Sequence, residues 1–565
     1  MNNLSDHLLS INYNNLTITE NGAGAFKSSL SACLDLFFLT VTGISNERLH
    51  ALLEAAWKED PVLTLKLIFQ IRHVRGGKSD REIFFVAMKW LCKSYNATFL
   101  ESLQLVGDFG CWKDLLELLA IYIPDIQEVR KPQKRCRDWD STKAQNKANK
   151  RRLGDNAIEE NPELTPLIEK VVALFSEALK KDLESMKESK TVSLAAKWAP
   201  TQSHSYDKLF NLNRRIALAM FPCTSEDETV QQKHAVWAKA KLQREVLAPL
   251  RSYLKVAEVN LTNRDYSAID YAKVPSVCMK QNSRHFGKND ETRFKAYLEE
   301  VSKGKAKINS AALFPHEIVR EVLSSSYGQL SNEVKIEIER SELQWKNYVQ
   351  ELQKTPGGGL GNALAVCDVS GSMSGIPMEV CLALGLLTST ISKGPFHNIV
   401  CTFTATPRFT KLPDSENTSL LDQIRALMDV DWGMNTDFEA VFSLILDTAI
   451  KHKLPNEELP KRILVFSDMQ FDEAGTFSAG AHTGLKKKFE REGYTLPEIV
   501  YWNLRGDARA GSFPVTKDEE RGALLMSGYS GHLLKNLMSG KDMNMMDLLL
   551  ESVSDPLYEK VKVLD

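Results

Sequence analysis

The segment that most constrains this chain runs from Ala363 to Ile391. Ala363-Leu-Ala-Val-Cys367 is an uninterrupted apolar run of strand length. It is followed at once by Asp368, Ser370 and Ser372, three oxygen-bearing side chains at alternate positions. From Pro377 the period changes to that of a helix, with Met378, Cys381, Leu382, Leu384, Gly385 and Leu386 leading to Ile391. Strand, polar loop and helix form the α/β unit that places ligand sites at the carboxyl ends of parallel strands. A carboxylate beside two hydroxyls is a hard-oxygen set suited to Mg²⁺ or Mn²⁺. The plain alternative is a Ser/Gly-rich turn that binds nothing.

Two later stretches add to that set. Thr436 lies in Gly433-Met-Asn-Thr-Asp437, before the helical run Phe438–Ile450, and Asp468 follows the apolar strand 463–466. Together Asp368, Ser370, Ser372, Thr436 and Asp468 resemble the metal-ion-dependent adhesion site of von Willebrand factor A domains. The resemblance covers about residues 360–565. It implies one Mg²⁺ or Mn²⁺ held by Asp368, Ser370, Ser372 and Thr436, with Asp468 acting through water. Met434-Asn435 stands where the family prefers glycines, and Asp437 is the alternative to Thr436.

The chain has 565 residues, 43% hydrophobic and 25% charged, with a formal net charge of -2, which is an ordinary globular composition of several domains. No apolar run is long enough to cross a bilayer, so no membrane role is expected. Met1-Asn-Asn-Leu-Ser-Asp6 lacks a basic segment leading into an apolar core, so the chain reads as not secreted. Nine scattered cysteines without C-x-x-C pairs read as reduced thiols, in the cytoplasm or the nucleus.

Residues 1–355 are helical in pattern, with apolar residues at helix spacing and no competing strand pattern. Asp60-Pro61 opens one helix, Gly76-Gly77 closes it and Ser79-Asp80 caps the next. The expectation is a HEAT-like stack of helix pairs, although no sequence period is visible. Pro356-Gly-Gly-Gly359-Leu-Gly361 marks the boundary, and strand and helix patterns alternate beyond it as in a doubly wound sheet. The expected architecture is therefore α + α/β: an all-α repeat domain over 1–355, with a basic insertion at about 130–155, then a von Willebrand A-like domain over 356–565.

Two basic stretches point to a polyanion. Lys66, Arg72, Arg75 and Lys78 flank the end of an apolar helix. Gly77-Lys78-Ser79 imitates the end of a phosphate-binding loop, but Arg72 stands where the motif needs glycine and a helix precedes it. The second stretch carries Arg130, Lys131, Lys134, Arg135, Arg137, Lys143, Lys147, Lys150, Arg151 and Arg152 against Asp138 and Asp140. It would track a phosphate backbone or serve as a solvated linker. The segment around Lys66–Lys78 resembles the TROVE module of the Ro ribonucleoprotein autoantigen family, whose members also end in a von Willebrand A domain. Ser193-Leu-Ala-Ala-Lys-Trp-Ala-Pro200, Val274-Pro-Ser276 and Ser527-Gly-Tyr-Ser-Gly531 resemble, over nearly the whole chain, the family of domain of unknown function 2828. The Ro likeness implies RNA as a partner. The adhesion-type site implies a protein partner that offers an Asp or Glu to the metal.

Catalytic constellations are poorly represented. His316-Glu317-Ile-Val-Arg320 lacks the second histidine of a zinc-protease helix, and Gly528-Tyr-Ser-Gly-His532 fails as a nucleophile elbow. Carboxylates that share a cation are held charged, which suits a ligand better than a general acid. The reading is a non-catalytic intracellular binding protein, a Ro-like ribonucleoprotein component with a metal-dependent ligand site. Its alternatives are a metal-dependent assembly scaffold without nucleic acid and a Mg²⁺-dependent hydrolase.

Overall fold

The structure is a computed structural model. It describes residues 15–19, 21–22, 24–124, 139–326, 331–355, 359–402, 406–415, 417–429, 438–471, 481–507, 512–517, 522–538 and 543–565. The chain divides into two compact units, Met1–Ile83 with Asp270–Tyr558, and Phe84–Ile269 with Glu559–Asp565.

The first unit is built on a sheet of six strands. A short hairpin, β1 (Leu16–Ile18) and β2 (Gly24–Phe26), precedes it. The sheet strands are β3 (Ala363–Cys367), β4 (Ile399–Thr402), β5 (Phe409–Lys411), β6 (Arg462–Ser467), β7 (Glu498–Asn503) and β8 (Ala523–Ser527). Their spatial order is β5-β4-β3-β6-β7-β8, parallel throughout except for β5, which runs antiparallel at the edge. Strand order thus reverses between β3 and β6, which are direct neighbours with Cys367 opposite Phe466. Such a reversal leaves a crevice beyond the strand ends.

Burial on both faces explains the unbroken apolar strands: every residue of β3, β6 and β8 is buried. Helix Ile376–Ile391 crosses β3 so closely that a Cβ at Gly385 would stand 2.4 Å from Cys367 Sγ. Its outer side is covered in turn by helices Pro315–Ser326, Asn332–Gln353 and Leu420–Met428, so the helix is apolar all round. Helix Asn332–Gln353 contributes Arg340, whose guanidinium is wholly buried and paired with Glu321. Asn332–Gln353 therefore belongs to the same compact unit as the sheet it precedes.

The N-terminal segment also belongs to this unit. Expecting no strands before residue 355 was incorrect, because Leu16–Ile18 and Gly24–Phe26 pair. Phe26 exchanges both backbone hydrogen bonds with Phe513, at 2.9 and 2.8 Å. Thr19 Oγ1 and Asn21 Nδ2 each donate, at 2.9 Å, to the carbonyls of Phe471 and Gln470. Strands this short carry no periodic signal.

The second unit is helical. Helix Leu164–Lys187 is its axis, with helices Trp112–Ala120, Trp139–Glu160 and Leu212–Met220 against it. Gly154 lets helix Trp139–Glu160 meet the backbone of Leu209 (a Cβ there would lie 2.1 Å from its carbonyl oxygen). Ser193 donates its amide and hydroxyl to Asp182 at 2.8 and 2.7 Å, which anchors the short helix Ala195–Trp198. Helix Glu228–Lys241 widens into a π-helical stretch, Leu242–Leu247, just before Pro249, where the proline removes an interior donor. The last residue closes the unit: Asp565 accepts the amides of Ala97 and Thr98, both at 2.9 Å. No helix among the described residues is long and apolar enough to cross a membrane. All eight described cysteines are free thiols.

Candidate metal centre

Three adjacent parallel strands deliver side chains to one crevice. Past the end of β3, the Asp368 amide donates to the Phe466 carbonyl at 3.0 Å and continues the ladder with β6. Asp368 is therefore fixed at the reversal point and wholly buried. One carboxylate oxygen accepts the Ser370 amide at 3.0 Å and the other accepts the Ser467 hydroxyl at 2.6 Å. The Ser370 and Ser372 hydroxyls lie 2.9 Å apart on a single 3₁₀ turn, Gly371–Met373. Gly375, at φ +91°, then lets the chain enter helix Ile376–Ile391.

Past β6 comes Asp468, also wholly buried. Oδ1 accepts the Gln470 amide at 3.1 Å, while Oδ2 has no hydrogen bond. The intervening Met469 is buried at φ +64°, a left-handed conformation that a non-glycine residue adopts at a cost. Its amide donates to Ser467 Oγ at 3.1 Å, so one serine links both acidic loops. Past β7 stands Arg505, with Nη1 3.6 Å from Asp468 Oδ2. The same nitrogen donates to the Ser372 carbonyl, and Nε donates to Asp507 Oδ2 at 2.7 Å.

The electrostatics are those of crowded buried carboxylates. Burial, and then the charge of Asp468, push the Asp368 carboxyl up to about 6 against the Ser467 and Ser370 hydrogen bonds. Burial also raises Asp468, against the pull of Ser372, the Gln470 amide and Arg505. A buried carboxylate oxygen without a hydrogen bond is costly unless something positive or protic reaches it, and at Asp468 Oδ2 the Arg505 guanidinium comes to 3.6 Å. Two carboxylates with two adjacent hydroxyls are hard-oxygen donors, the type that Mg²⁺ or Mn²⁺ takes.

The structure brings Asp368, Ser370, Ser372 and Asp468 together. Thr436 and its alternative Asp437 lie outside the described residues. Arg505 was missed, although Asn503-Leu-Arg505-Gly-Asp507 follows a legible strand just as Asp368 and Asp468 do. That positional equivalence was the available signal.

The basic residues behave differently from expectation. Lys78 is 2% exposed, and its ammonium lies inside the first unit, donating to the Thr40 carbonyl at 2.7 Å and Ser527 Oγ at 2.8 Å. Arg72 is likewise buried, whereas Lys66 is half-buried and Arg75 exposed. A polyanion-binding role for Lys78 and Arg72 is therefore corrected, because interior cations cannot meet phosphates. Arg130, Lys131, Lys134, Arg135 and Arg137 lie outside the described residues. Arg151 pairs with Asp155 at 3.1 Å, and Arg152 is exposed. Lys208 lies near enough to Lys150 to act with burial in lowering its pKa. Burial lowers Arg215, helped by Arg151 and Arg214 and opposed by Glu169 and Asp155.

Comparison with known proteins places the chain in sequence space. Residues 19–160 and 142–357 match a domain of unknown function, DUF2828, and residues 362–561 match a second, DUF7788. An uncharacterized protein of Acanthamoeba polyphaga mimivirus is 31% identical over 583 residues, spanning 98% of this chain and 90% of that protein. By the extent of both matches, the chain belongs to the DUF2828 family.

Proposed function

We propose that this protein is a non-catalytic binding protein whose first unit holds one Mg²⁺ or Mn²⁺ in a von Willebrand A-like adhesion site. The observation that carries this reading is the unbonded, buried Asp468 Oδ2 beside Asp368 and the Ser370–Ser372 hydroxyl pair. The doubly wound strand order supports it, since ligands of such sheets bind where that order reverses. Asp368, Ser370 and Ser372 would hold the ion, with Asp468 next to it. When bound, the ion supplies an open coordination position for an acidic side chain of a protein partner. Asp368→Ala should abolish Mg²⁺-dependent thermal stabilisation while leaving the helical unit folded by circular dichroism. Identical melting of the parent protein in Mg²⁺ and in chelator would contradict the reading.

A second reading, RNA binding of the Ro and TROVE kind, is favoured by one observation. Lys208 lies close enough to Lys150, and Arg151 and Arg214 to Arg215, to influence their charge across three helices, with Glu169 and Asp155 acting on Arg215 in the opposite sense. Phosphate neutralisation releases counterions, so affinity would fall steeply with salt. Lys208→Glu with Arg214→Glu should weaken RNA binding and flatten the salt slope by about one for each cation that had faced a phosphate. An unchanged slope would leave metal-dependent protein assembly as the function.

A further inference from the structure

The third strand end contributes a cation where a metal site would be expected to supply only oxygens. Arg505 Nη1 is 3.6 Å from the unbonded Asp468 Oδ2 and donates to the carbonyl of Ser372, whose hydroxyl is a candidate ligand. We propose that Arg505 is a resident counter-cation of this centre, balancing Asp468 in the absence of a divalent ion and opposing the ion's entry. The proposal rests on the metal-binding reading above and deepens it, by assigning a residue that sets the affinity.

Arg505 is held in place from several sides. Nε donates to Asp507 Oδ2 at 2.7 Å, and the Arg505 amide donates to Asn503 Oδ1 at 2.9 Å. The next residue, Gly506, approaches the N-terminal segment so closely that a Cβ would lie 2.1 Å from the Val41 carbonyl oxygen. Arg48 Nη1 donates to the Asp507 carbonyl at 3.2 Å. The side chain is only 19% exposed. The guanidinium is therefore a positive charge held inside the crevice by its own hydrogen bonds.

Two consequences follow from Coulomb's law. Without the ion, the guanidinium reduces the repulsion between two carboxylates buried side by side. With the ion, it stands within a few ångströms of a doubly charged cation that shares its partner Asp468. At effective dielectric constants near 20, such proximity is enough to move an affinity by about tenfold or more. The centre would thus have a guanidinium-balanced state and a metal-balanced state, with the ion and Arg505 sharing Asp468 in the second.

The test is calorimetric titration of Mn²⁺ into the full chain for the parent protein, Arg505→Gln, Arg505→Lys and Asp368→Asn, with parallel melting in chelator. Arg505→Gln should bind Mn²⁺ about tenfold or more tightly, Arg505→Lys should stay within about twofold of the parent, and Asp368→Asn should not bind. In chelator Arg505→Gln should melt below the parent, and that loss should vanish in an Asp468→Asn background. Unchanged or weaker Mn²⁺ binding by Arg505→Gln, with Asp368→Asn still inactive, would overturn the proposal. Failure of the metal reading looks different: neither the parent nor Arg505→Gln would show binding sensitive to Asp368→Asn. The proposed antagonism would fall with it.

Discussion

At the scale of the residue, the buried ionisable groups carry most of the chemistry. Lys78 Nζ reaches the carbonyls of Phe37 and Thr40 and the hydroxyl of Ser527, three acceptors for the three protons of an ammonium. Burial pulls its pKa down to about 7, against the opposing charge of Asp80. The lysine terminates helix Ala32–Leu39 and ties it to β8. Lys78→Ala leaves the Thr40 carbonyl without this buried donor, although Ser527 still donates to Phe37, and it should destabilise the first unit by about 1–3 kcal/mol, measured by urea unfolding. His316 and His532 supply the pH dependence. Burial, with Arg320 and Lys280, lowers His316 to about 3, while burial, with Lys535, lowers His532 to about 4. The ordinary value of 6.5 applies to the unfolded chain, which therefore takes up more protons than the fold below that pH. The histidines' contribution should be complete above about pH 6.5 and be lost as pH drops towards 4, by about 1.4 kcal/mol per unit for each, while Asp368, raised to about 6, works in the opposite sense over the same window. Melting across this range, with a shallower slope in His532→Gln, checks the sign.

At the scale of the element, the closest approaches decide what can change. Helix Ile376–Ile391 meets β3 at Gly385, where any side chain would collide with Cys367 Sγ. Gly385→Val should displace the helix, lower the melting temperature by several degrees and weaken metal binding, because Ser370 and Ser372 lie on the turn leading into that helix. What was legible in the sequence follows the same logic. β3, β6 and β7 were readable because strands buried on both faces are continuous apolar runs, and Asp368 and Asp468 because a polar residue ends each run. β5 is a three-residue edge strand, and β1 and β2 are no longer, too short for a period to register. Helix Asn332–Gln353 was legible from its own pattern, but its attachment to the sheet was not. That attachment depends on long-range burial of Arg340, Gln344 and Tyr348, a tertiary fact without local signature. The expectation that Arg72 and Lys78 face a polyanion failed for the same reason, since sequence shows a charge and not its exposure.

At the scale of the whole molecule, the two family matches meet between residues 357 and 362, whereas the compact units do not divide there. Residues from the N-terminal segment and from 270–353 share one unit with the sheet. A fragment of 356–565 alone would expose the outer side of helix Ile376–Ile391, a large apolar surface. It should therefore aggregate or melt without a cooperative transition, while the full chain unfolds cooperatively. The proposed divalent-cation site lies at the three strand ends of this unit. The most direct measurement is a calorimetric titration of Mn²⁺ into the full chain, repeated with Asp368→Asn and with Ser370→Ala/Ser372→Ala. One ion should bind per chain in the parent protein, none with Asp368→Asn, and binding should weaken at least about tenfold with the double serine variant. Binding of equal strength and stoichiometry in all three proteins would contradict the proposed site.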